Sequence, residues 1–242
     1  MSRLRNIPGS GEVIAASDFV IHEPEKQKGH WAEVFSRRQK PEIEIGMGKG
    51  RFLMDMAAKY PDRNFVGIEM QSSVMFRAVQ KAEIRAKERA GSTDIRSLPA
   101  TVTQGRPGIW KDCNFRFILM DARLLENVFD AHEVAGIRLN FSDPWPKERH
   151  GNRRLTSAGF LRIYQRILTE DGILTFKTDN RALFDFSVEQ VRQEGWQILD
   201  LTYDLHADPV LSADNVMTEY EEKFSGRGNP IFLLSARPAA SS

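Results

Sequence analysis

Short apolar runs alternate along the chain with amphipathic stretches, and the order of these patterns predicts the fold. Residues 42–45 have the pattern of a buried strand, and residues 51–60 repeat apolar positions with a helical period. A second strand is predicted at residues 64–69, followed by a long helix that Ser72 or Ser73 caps. This series indicates a right-handed parallel βαβ unit.

The alternation continues toward the C-terminus. Further strands are predicted at residues 115–120, 137–141, 173–177, 196–203 and 231–236. Helical patterns separate them, including one that Thr156 caps and Gly172 closes, and one that Gly195 ends. Seven strands with interspersed helices predict an α/β fold with a doubly wound, mostly parallel seven-stranded sheet. In such folds ligands bind beyond the carboxyl ends of the strands.

Two segments depart from this alternation. Residues 1–40 carry scattered basic residues without a sustained period, which predicts a partly ordered N-terminal arm. Residues 41–238 are predicted to form one domain, because no linker or internal repeat divides them. Within that domain, residues 87–114 are rich in glycine, serine, threonine, proline and charge, so we expect a helix end and a long inserted loop.

Composition limits the kinds of partner that the chain can have. The 242 residues are 41% hydrophobic and carry a net charge of only +1, so nucleic-acid binding requires local basic patches. The single cysteine, Cys113, excludes an internal disulfide and fits a reducing compartment. No apolar run approaches the length of a membrane span, and the first residues lack a signal-peptide pattern. We therefore expect a cytoplasmic protein without a membrane partner.

A glycine turn follows the first predicted strand. Gly46, Gly48 and Gly50 allow the backbone to turn tightly and to approach a ligand closely. Glu44 precedes this turn, and Glu69 ends the second strand, where a carboxylate can accept both hydroxyls of a ribose. Glycines at this spacing also occur in ordinary structural turns, which is the alternative interpretation.

Acidic side chains recur at the predicted strand ends. They are Glu44, Glu69, Asp121, Asp143 and Asp179. Acids disfavour a pyrophosphate, and a dinucleotide-binding fingerprint would require glycine where this chain has Arg51. A cofactor that carries an amino group and a sulfonium tolerates such acids, because its charge is neutral or positive.

The segment 139–154 reads LNFSDPWPKERHGNRR and changes from a strand pattern to a charged loop. Pro144 and Pro146 end the strand and restrict Asp143 and Trp145 to extended backbone conformations. Basic side chains follow at Lys147, Arg149, His150, Arg153 and Arg154. A carboxylate and an aromatic ring beside cations suit a base-binding site next to phosphates. The alternative is a solvated loop with Trp145 buried beneath it.

Four motifs resemble known families. The pattern ExGxGxG at residues 44–50 resembles S-adenosylmethionine-dependent methyltransferases. The stretches NFSDPWPKERHGNRRL, FKTDN and TEYEEKF resemble the bacterial tRNA (guanine-N7-)-methyltransferase family, and the similarity extends over residues 18–234. This resemblance implies a Rossmann-like class I methyltransferase fold. It also implies methyl transfer from S-adenosylmethionine to N7 of guanine 46 in the variable loop of tRNA. The chain departs from the family between residues 86 and 115, where it is longer.

The same resemblance implies roles for individual residues. The S-adenosylmethionine site would comprise Glu44, Gly46, Gly48, Gly50, Glu69, Asp121 and Asp143. The guanine or its nucleotide would be bound by Lys147, Asp179, Thr218, Glu219, Tyr220 and Glu221. The RNA would contact Arg149, His150, Arg153 and Arg154, and Asp143 would be the catalytic residue.

The chemistry of guanine N7 can be considered independently of the family. N7 has a free lone pair, so no base is required, and orientation can supply about 7–11 kcal/mol of the acceleration. The carboxylate of Asp143 can stabilise the positive charge that moves to the guanine during the transfer. Asp179 and Glu221 can accept hydrogen bonds from the N1–H and N2–H₂ groups. Alternatively, Asp179 caps a helix, and the acids around Glu221 form a solvated run.

Three other functions compete with this hypothesis. An amino-group methyltransferase of DNA or protein also has an acidic or amide residue before proline, but Trp145 separates the two prolines here. An RNA-binding scaffold without activity is disfavoured by the complete acidic series, and a nicotinamide dehydrogenase is more distant. His150 has no histidine or cysteine at metal-ligand spacing, so no metal is predicted. Both a monomer and a homodimer are compatible with the sequence.

Overall fold

A seven-stranded sheet forms the centre of the computed structural model, which describes residues 7–89 and 113–239. The strands are β1 (Glu42–Ile45), β2 (Phe65–Glu69), β3 (Phe115–Leu119), β4 (Val134–Asn140), β5 (Leu168–Thr178), β6 (Gln197–Thr202) and β7 (Phe232–Arg237). Their spatial order is β3-β2-β1-β4-β5-β7-β6. β7 pairs antiparallel with β5 and β6, and the pairs among β1 to β5 are parallel. The predicted fold class is confirmed.

Helices cover both faces of the sheet. They are α1 (Ser10–Ala15), α2 (Arg51–Lys59), α3 (Ser72–Arg89), α4 (Leu125–Val128), α5 (Ala158–Ile167), α6 (Arg181–Gln193), α7 (Pro209–Ala213) and α8 (Glu219–Ser225). α3 packs against α1 and α2, whereas α5 packs against α4 and α6. Ile43 and Ile45 lie in the core of the α5 side, so Glu44 between them faces the opposite side of the sheet.

Several predicted boundaries were wrong. Ser157 rather than Thr156 precedes α5, because the Thr156 hydroxyl lies 2.6 Å from the hydroxyl of Ser187 on α6. Ser72 is the first helical residue of α3 rather than its cap. Gly172 lies within β5, since the strand begins at Leu168 and a register shift opposite β4 accommodates the extra residues. Polar residues in this bulge resemble a turn in the sequence.

The segment before β1 packs along the domain. Val20 forms a parallel bridge with Phe117 in the middle of β3. Trp31 is completely buried, and its indole N–H donates to the carbonyl of Val128 at 2.8 Å. The buried carboxylate of Glu133 accepts hydrogen bonds from the backbone N–H groups of Gly29 and Trp31, both at 2.9 Å. These contacts attach the segment to the same core as the sheet.

The long inserted loop falls mainly outside the described residues, because α3 continues to Arg89 and the next described residue is Cys113. The loop was predicted at residues 87–114, and residues 90–112 of it lie outside the described part of the chain. Among the described residues, no helix is long and apolar enough to cross a membrane.

Candidate functional site

The acidic residues predicted at strand ends lie along one edge of the sheet. Glu44 is in β1 and Glu69 is the last residue of β2. Asp121, Asp143 and Asp179 follow β3, β4 and β5. These five strands are parallel neighbours, so their carboxyl ends meet at the same edge. The structure thus brings this acidic series into one region.

The glycine turn lies between β1 and α2. Gly46, Gly48 and Gly50 have φ angles of 75°, 59° and 72°, which L side chains rarely adopt. The backbone N–H groups of Gly46 and Met47 donate to the carbonyl of Ile68 at 2.8 and 3.1 Å. A methyl group at Gly46 or Gly48 would meet no atom within 4 Å, so the outer surface of the turn is open to a ligand.

Glu69 fastens the glycine turn to the end of β2. Its carboxylate accepts hydrogen bonds from the backbone N–H groups of Gly48 at 3.2 Å and Gln71 at 2.9 Å. The side chain is 8% exposed. Burial raises the pKa of Glu69, and the nearby carboxylate of Asp143 raises it further. β2 and β4 are the two neighbours of β1, so Glu69 and the Asp143 loop follow strands on either side of it.

Glu44 is a buried carboxyl with one unsatisfied oxygen. Oε1 accepts a hydrogen bond from the side-chain amide of Asn140 at 2.9 Å, whereas Oε2 has no partner. Burial raises the pKa of Glu44 from 4.5 to about 8. An ammonium group that reached Oε2 would satisfy this oxygen and favour the charged carboxylate.

The loop after β4 carries Asp143 between two unusual backbone conformations. Phe141 and Trp145 have φ angles of 52° and 41°, in the left-handed region that bulky residues avoid. The extended conformation predicted for Trp145 before Pro146 was therefore wrong. The Phe141 N–H donates to the carbonyl of Lys177 on β5 at 2.8 Å. Asp143 itself is exposed at the sheet edge. The loop therefore presents a carboxylate to solvent from a tightly constrained turn.

Basic residues after this loop form a cationic rim, defined here as Lys147, Arg149, His150 and Arg153. Lys147, Arg149 and Arg153 are exposed. The Arg153 guanidinium lies 5.0 Å from the centroid of the Trp145 ring, and His150 meets that ring edge-on at 5.7 Å. Trp145 is half-buried at this rim, so the alternative in which the loop buries it was wrong.

Tyr220 on α8 connects the ends of β4 and β5. Its ring lies 4.8 Å from Phe141 and 4.1 Å from Phe224, between centroids. Its hydroxyl donates to Asp179 at 2.9 Å, and burial together with this carboxylate raises the pKa of Tyr220 to about 12. Asn180, not Asp179, caps α6, so the capping alternative for Asp179 was wrong.

The other members of the predicted guanine-binding run serve α8 itself. Thr218 caps this helix, and its hydroxyl accepts a hydrogen bond from the Glu221 N–H at 3.0 Å. Glu219 pairs with Lys81 on α3, and Glu222 pairs with Arg51 on α2 at 2.6 Å. Glu219 and Glu222 are exposed, as the solvated-run alternative predicts, and only Glu221 departs from it.

Glu221 is completely buried, and its role in binding guanine stays a prediction. Its carboxylate accepts hydrogen bonds from Lys177 and Asn215, both at 2.6 Å, and lies 3.2 Å from His206. With these partners it has no surface to offer a base in this structure. Sequence reasoning missed Lys177, although a lysine at the end of an apolar strand, in FKTDN, indicates a buried charge that requires a partner.

Asp121 is engaged by a neighbouring arginine. The Arg123 guanidinium donates to its two oxygens at distances from 2.6 to 3.1 Å, and the Arg123 N–H donates at 2.9 Å. These hydrogen bonds lower the pKa of Asp121. Among the described residues, no three His, Cys, Asp or Glu side chains are grouped as metal ligands.

Comparisons with known proteins place this geometry in a family. Residues 38–234 match the methyltransferase family model Methyltransf_4. The tRNA (guanine-N(7)-)-methyltransferase of Lachnoclostridium phytofermentans is 48% identical, and that of Brevibacillus brevis is 42% identical, each over 97% of both chains. The 16S rRNA (adenine(1408)-N(1))-methyltransferase from Catenulisporales acidiphilia superposes with a TM-score of 0.57 at 11% identity, covering 93% of this chain and 98% of that one.

The sheet order and the acidic edge with its glycine turn define a class I methyltransferase fold, which the solved structure shares. The identities over nearly the whole length are more specific than the fold. The chain belongs to the tRNA (guanine-N(7)-)-methyltransferase family, and the resemblance read from its motifs is confirmed.

The raised pKa of Glu44 predicts a pH dependence of stability. Between pH 4.5 and about 8 the unfolded chain loses the Glu44 proton while the folded protein retains it, so stability falls over this window. Glu44→Gln removes this loss, and its free energy of unfolding relative to wild type should rise by a few kcal/mol across the window. Urea unfolding near both limits measures this, with Glu12→Gln as an exposed control. Parallel pH profiles for wild type and Glu44→Gln would contradict the prediction.

The Lys177–Glu221 pair predicts strong coupling. Both side chains are buried, at 4% and 0% exposure, so Lys177→Met should destabilise the protein by about 3–5 kcal/mol by leaving a buried charge unpaired. Adding Glu221→Met should recover much of this loss. A double-mutant cycle by urea unfolding measures the coupling, and Lys81→Met, at a more exposed pair, should cost about 1 kcal/mol or less. Additive effects at Lys177 and Glu221 would refute the coupling.

Proposed function

We propose that this protein transfers the methyl group of S-adenosylmethionine to N7 of guanine 46 in the variable loop of tRNA. The observation that carries this proposal is the constrained loop that places Asp143 beside the acidic edge and the cationic rim. The names of the relatives supply the tRNA and the N7 atom. The choice of position 46 rests on the resemblance of the motifs alone.

The residues at the sheet edge fit S-adenosylmethionine. The open outer surface of Gly46 and Gly48 admits a ligand against the backbone, and Glu69 beside it is suited to the ribose hydroxyls. The unpartnered oxygen of Glu44 suits an ammonium group. Asp121 would accept a hydrogen bond from the adenine amine, which would replace one of its hydrogen bonds from Arg123. When bound, this cofactor supplies an electrophilic methyl group on a sulfonium.

Asp143 provides electrostatic stabilisation in this mechanism. The lone pair of guanine N7 is available at neutral pH, so the protein needs no general base for the attack. Its task is to align N7 with the methyl group, and such orientation can contribute about 7–11 kcal/mol. The carboxylate of Asp143 stabilises the positive charge as it moves onto the guanine ring. The constrained backbone on both sides of Asp143 limits its reorganisation.

Asp179 is our candidate for reading the Watson–Crick edge of guanine. Its Oδ2 accepts from Tyr220, which fixes the carboxylate next to the Phe141–Tyr220 aromatic pair. A carboxylate there can accept from N1–H and N2–H₂ of guanine, a pattern that adenine lacks. Thr218, Glu219 and Glu221 support this arrangement by anchoring α8, and Lys147 contributes a charge to the nucleotide phosphate.

The cationic rim provides the RNA contacts. Its exposed members lie next to Trp145 and the Asp143 loop, so phosphates bound there would bring the target base to the sheet edge. The partner we propose is tRNA. Activity in the cytoplasm follows from this substrate, and a monomer or a homodimer stays a prediction.

Product analysis tests the proposed function. Incubation with labelled S-adenosylmethionine and unmodified tRNA, followed by nucleoside analysis, should yield 7-methylguanosine. A tRNA in which another nucleotide replaces guanine 46 should accept no label. Label on an exocyclic amino group or on a protein would support an amino-group methyltransferase and refute the proposal. If calorimetry detected no binding of S-adenosylmethionine, the result would support an RNA-binding scaffold without activity.

Loss of the Asp143 charge should remove turnover. Asp143→Asn conserves the volume of the side chain, so we expect at least a 10²-fold fall in kcat, about 2.7 kcal/mol or more of barrier, with tRNA affinity near wild type. Glu148→Gln removes a charge from the same exposed loop and serves as the control, with unchanged turnover. Single-turnover methyl transfer measures both. If Asp143→Asn transferred the methyl group at half the wild-type rate, the proposed role of Asp143 in stabilising charge would be refuted.

Binding of tRNA should depend strongly on salt. Contacts with about four to six phosphates predict a slope of roughly −3 to −5 for log Kd⁻¹ against log[salt]. Arg149→Ala combined with Arg153→Ala should reduce the magnitude of this slope by about two. The control is Arg162→Ala, which removes an exposed arginine paired with Glu194 just after α6 and should leave the slope unchanged. An affinity insensitive to salt would contradict the proposed rim.

A further inference from the structure

Arg154 contacts the backbone of the Asp143 loop rather than extending into solvent. Its Nε donates to the carbonyl of Pro144, and its Nη2 donates to the carbonyl of Trp145, both at 3.1 Å. The guanidinium also lies 4.3 Å from the ring centroid of Phe186 on α6. The side chain is half-buried, in contrast to the exposed Arg149 and Arg153. The environment of Arg154 therefore differs from that of the cationic rim, although the sequence analysis predicted RNA contacts for both.

The two carbonyls belong to the residues that directly follow Asp143. Pro144 and Pro146 have no N–H groups, so carbonyl oxygens are the main hydrogen-bonding groups of this backbone. The left-handed conformation of Trp145 is unfavourable for a bulky residue and persists only where neighbouring contacts fix it. The planar fork of Arg154 supplies two charge-assisted hydrogen bonds at this position.

We propose that Arg154 is a positioning residue, which fixes the Pro144–Trp145 backbone so that the Asp143 carboxylate remains aligned with the reacting atoms. This inference rests on the proposed function, because it concerns the turnover of that same site. Phe186 supports this arrangement, since its ring packs against the guanidinium that makes both hydrogen bonds. Arg149 and Arg153 retain the role of phosphate contacts.

Lysine and arginine distinguish positioning from phosphate binding. Arg154→Lys keeps the positive charge, but an ammonium group lacks the fork that reaches both carbonyls. If Arg154 positions the loop, Arg154→Lys should resemble Arg154→Ala. If Arg154 binds a phosphate, lysine should rescue most of the affinity.

The experiment compares Arg154→Lys, Arg154→Ala and Arg149→Ala with wild type, using tRNA and S-adenosylmethionine. We expect both Arg154 variants to lower kcat by about 10²-fold, the loss that follows from a displacement of about 1 Å. Their KM for tRNA, the salt slope of tRNA binding and the Kd for S-adenosylmethionine should stay near wild type. Arg149→Ala should instead raise KM and reduce the salt slope by about one.

Two results would overturn the inference. One is near-normal kcat in Arg154→Lys, and the other is a loss confined to KM and the salt slope in Arg154→Ala. Thermal unfolding of each variant identifies a general loss of fold, and Arg154→Lys decides the question if Arg154→Ala does not fold. The wild-type product is mapped in parallel. Methylation elsewhere than guanine N7 refutes the proposed function, whereas an unaffected kcat in Arg154→Lys refutes only the positioning role.

Discussion

The constraint on which the site depends is the left-handed backbone on both sides of Asp143. Phe141 and Trp145 adopt conformations that bulky residues avoid, and the surrounding structure offsets this cost. The carbonyl of Lys177 and the ring of Tyr220 fix Phe141, and the guanidinium of Arg154 fixes Trp145. These contacts come from β5, α8 and the segment before α5. The loop that carries Asp143 is thereby held by three separate elements.

The sheet provides the second part of this arrangement. Parallel neighbours bring Glu44, Glu69 and Asp143 to one edge, although they are far apart in sequence. Burial, with a further contribution from the Asp143 carboxylate, raises the pKa of Glu69, and burial raises that of Glu44 to about 8. Without a ligand, the charged forms of these carboxyl groups are disfavoured, whereas a cationic ligand at this edge would stabilise them. The same geometry that reduces stability near neutral pH prepares the protein for a sulfonium cofactor.

Much of the fold could be predicted from the sequence, because strands buried on both faces produce apolar runs and the glycine turn marks the first crossover. The acidic edge followed from the positions of the strand ends. The roles of Arg154 and Glu221 could not be predicted, because charged residues in a loop or short helix look alike whether they face solvent or a buried partner. Lys177, which pairs with Glu221, and Phe186, which the Arg154 guanidinium contacts, lie on distant segments that only the tertiary fold brings close. The bulge in β5 was missed because its polar residues resemble a turn.

The most direct test of this account is a crystal structure of the protein with a non-reactive S-adenosylmethionine analogue and a guanosine nucleotide. We predict that Phe141 and Trp145 keep positive φ angles and that both ligands meet beside the Asp143 carboxylate. A structure in which this loop relaxes to extended backbone, with Asp143 directed away from the ligands, would contradict the account.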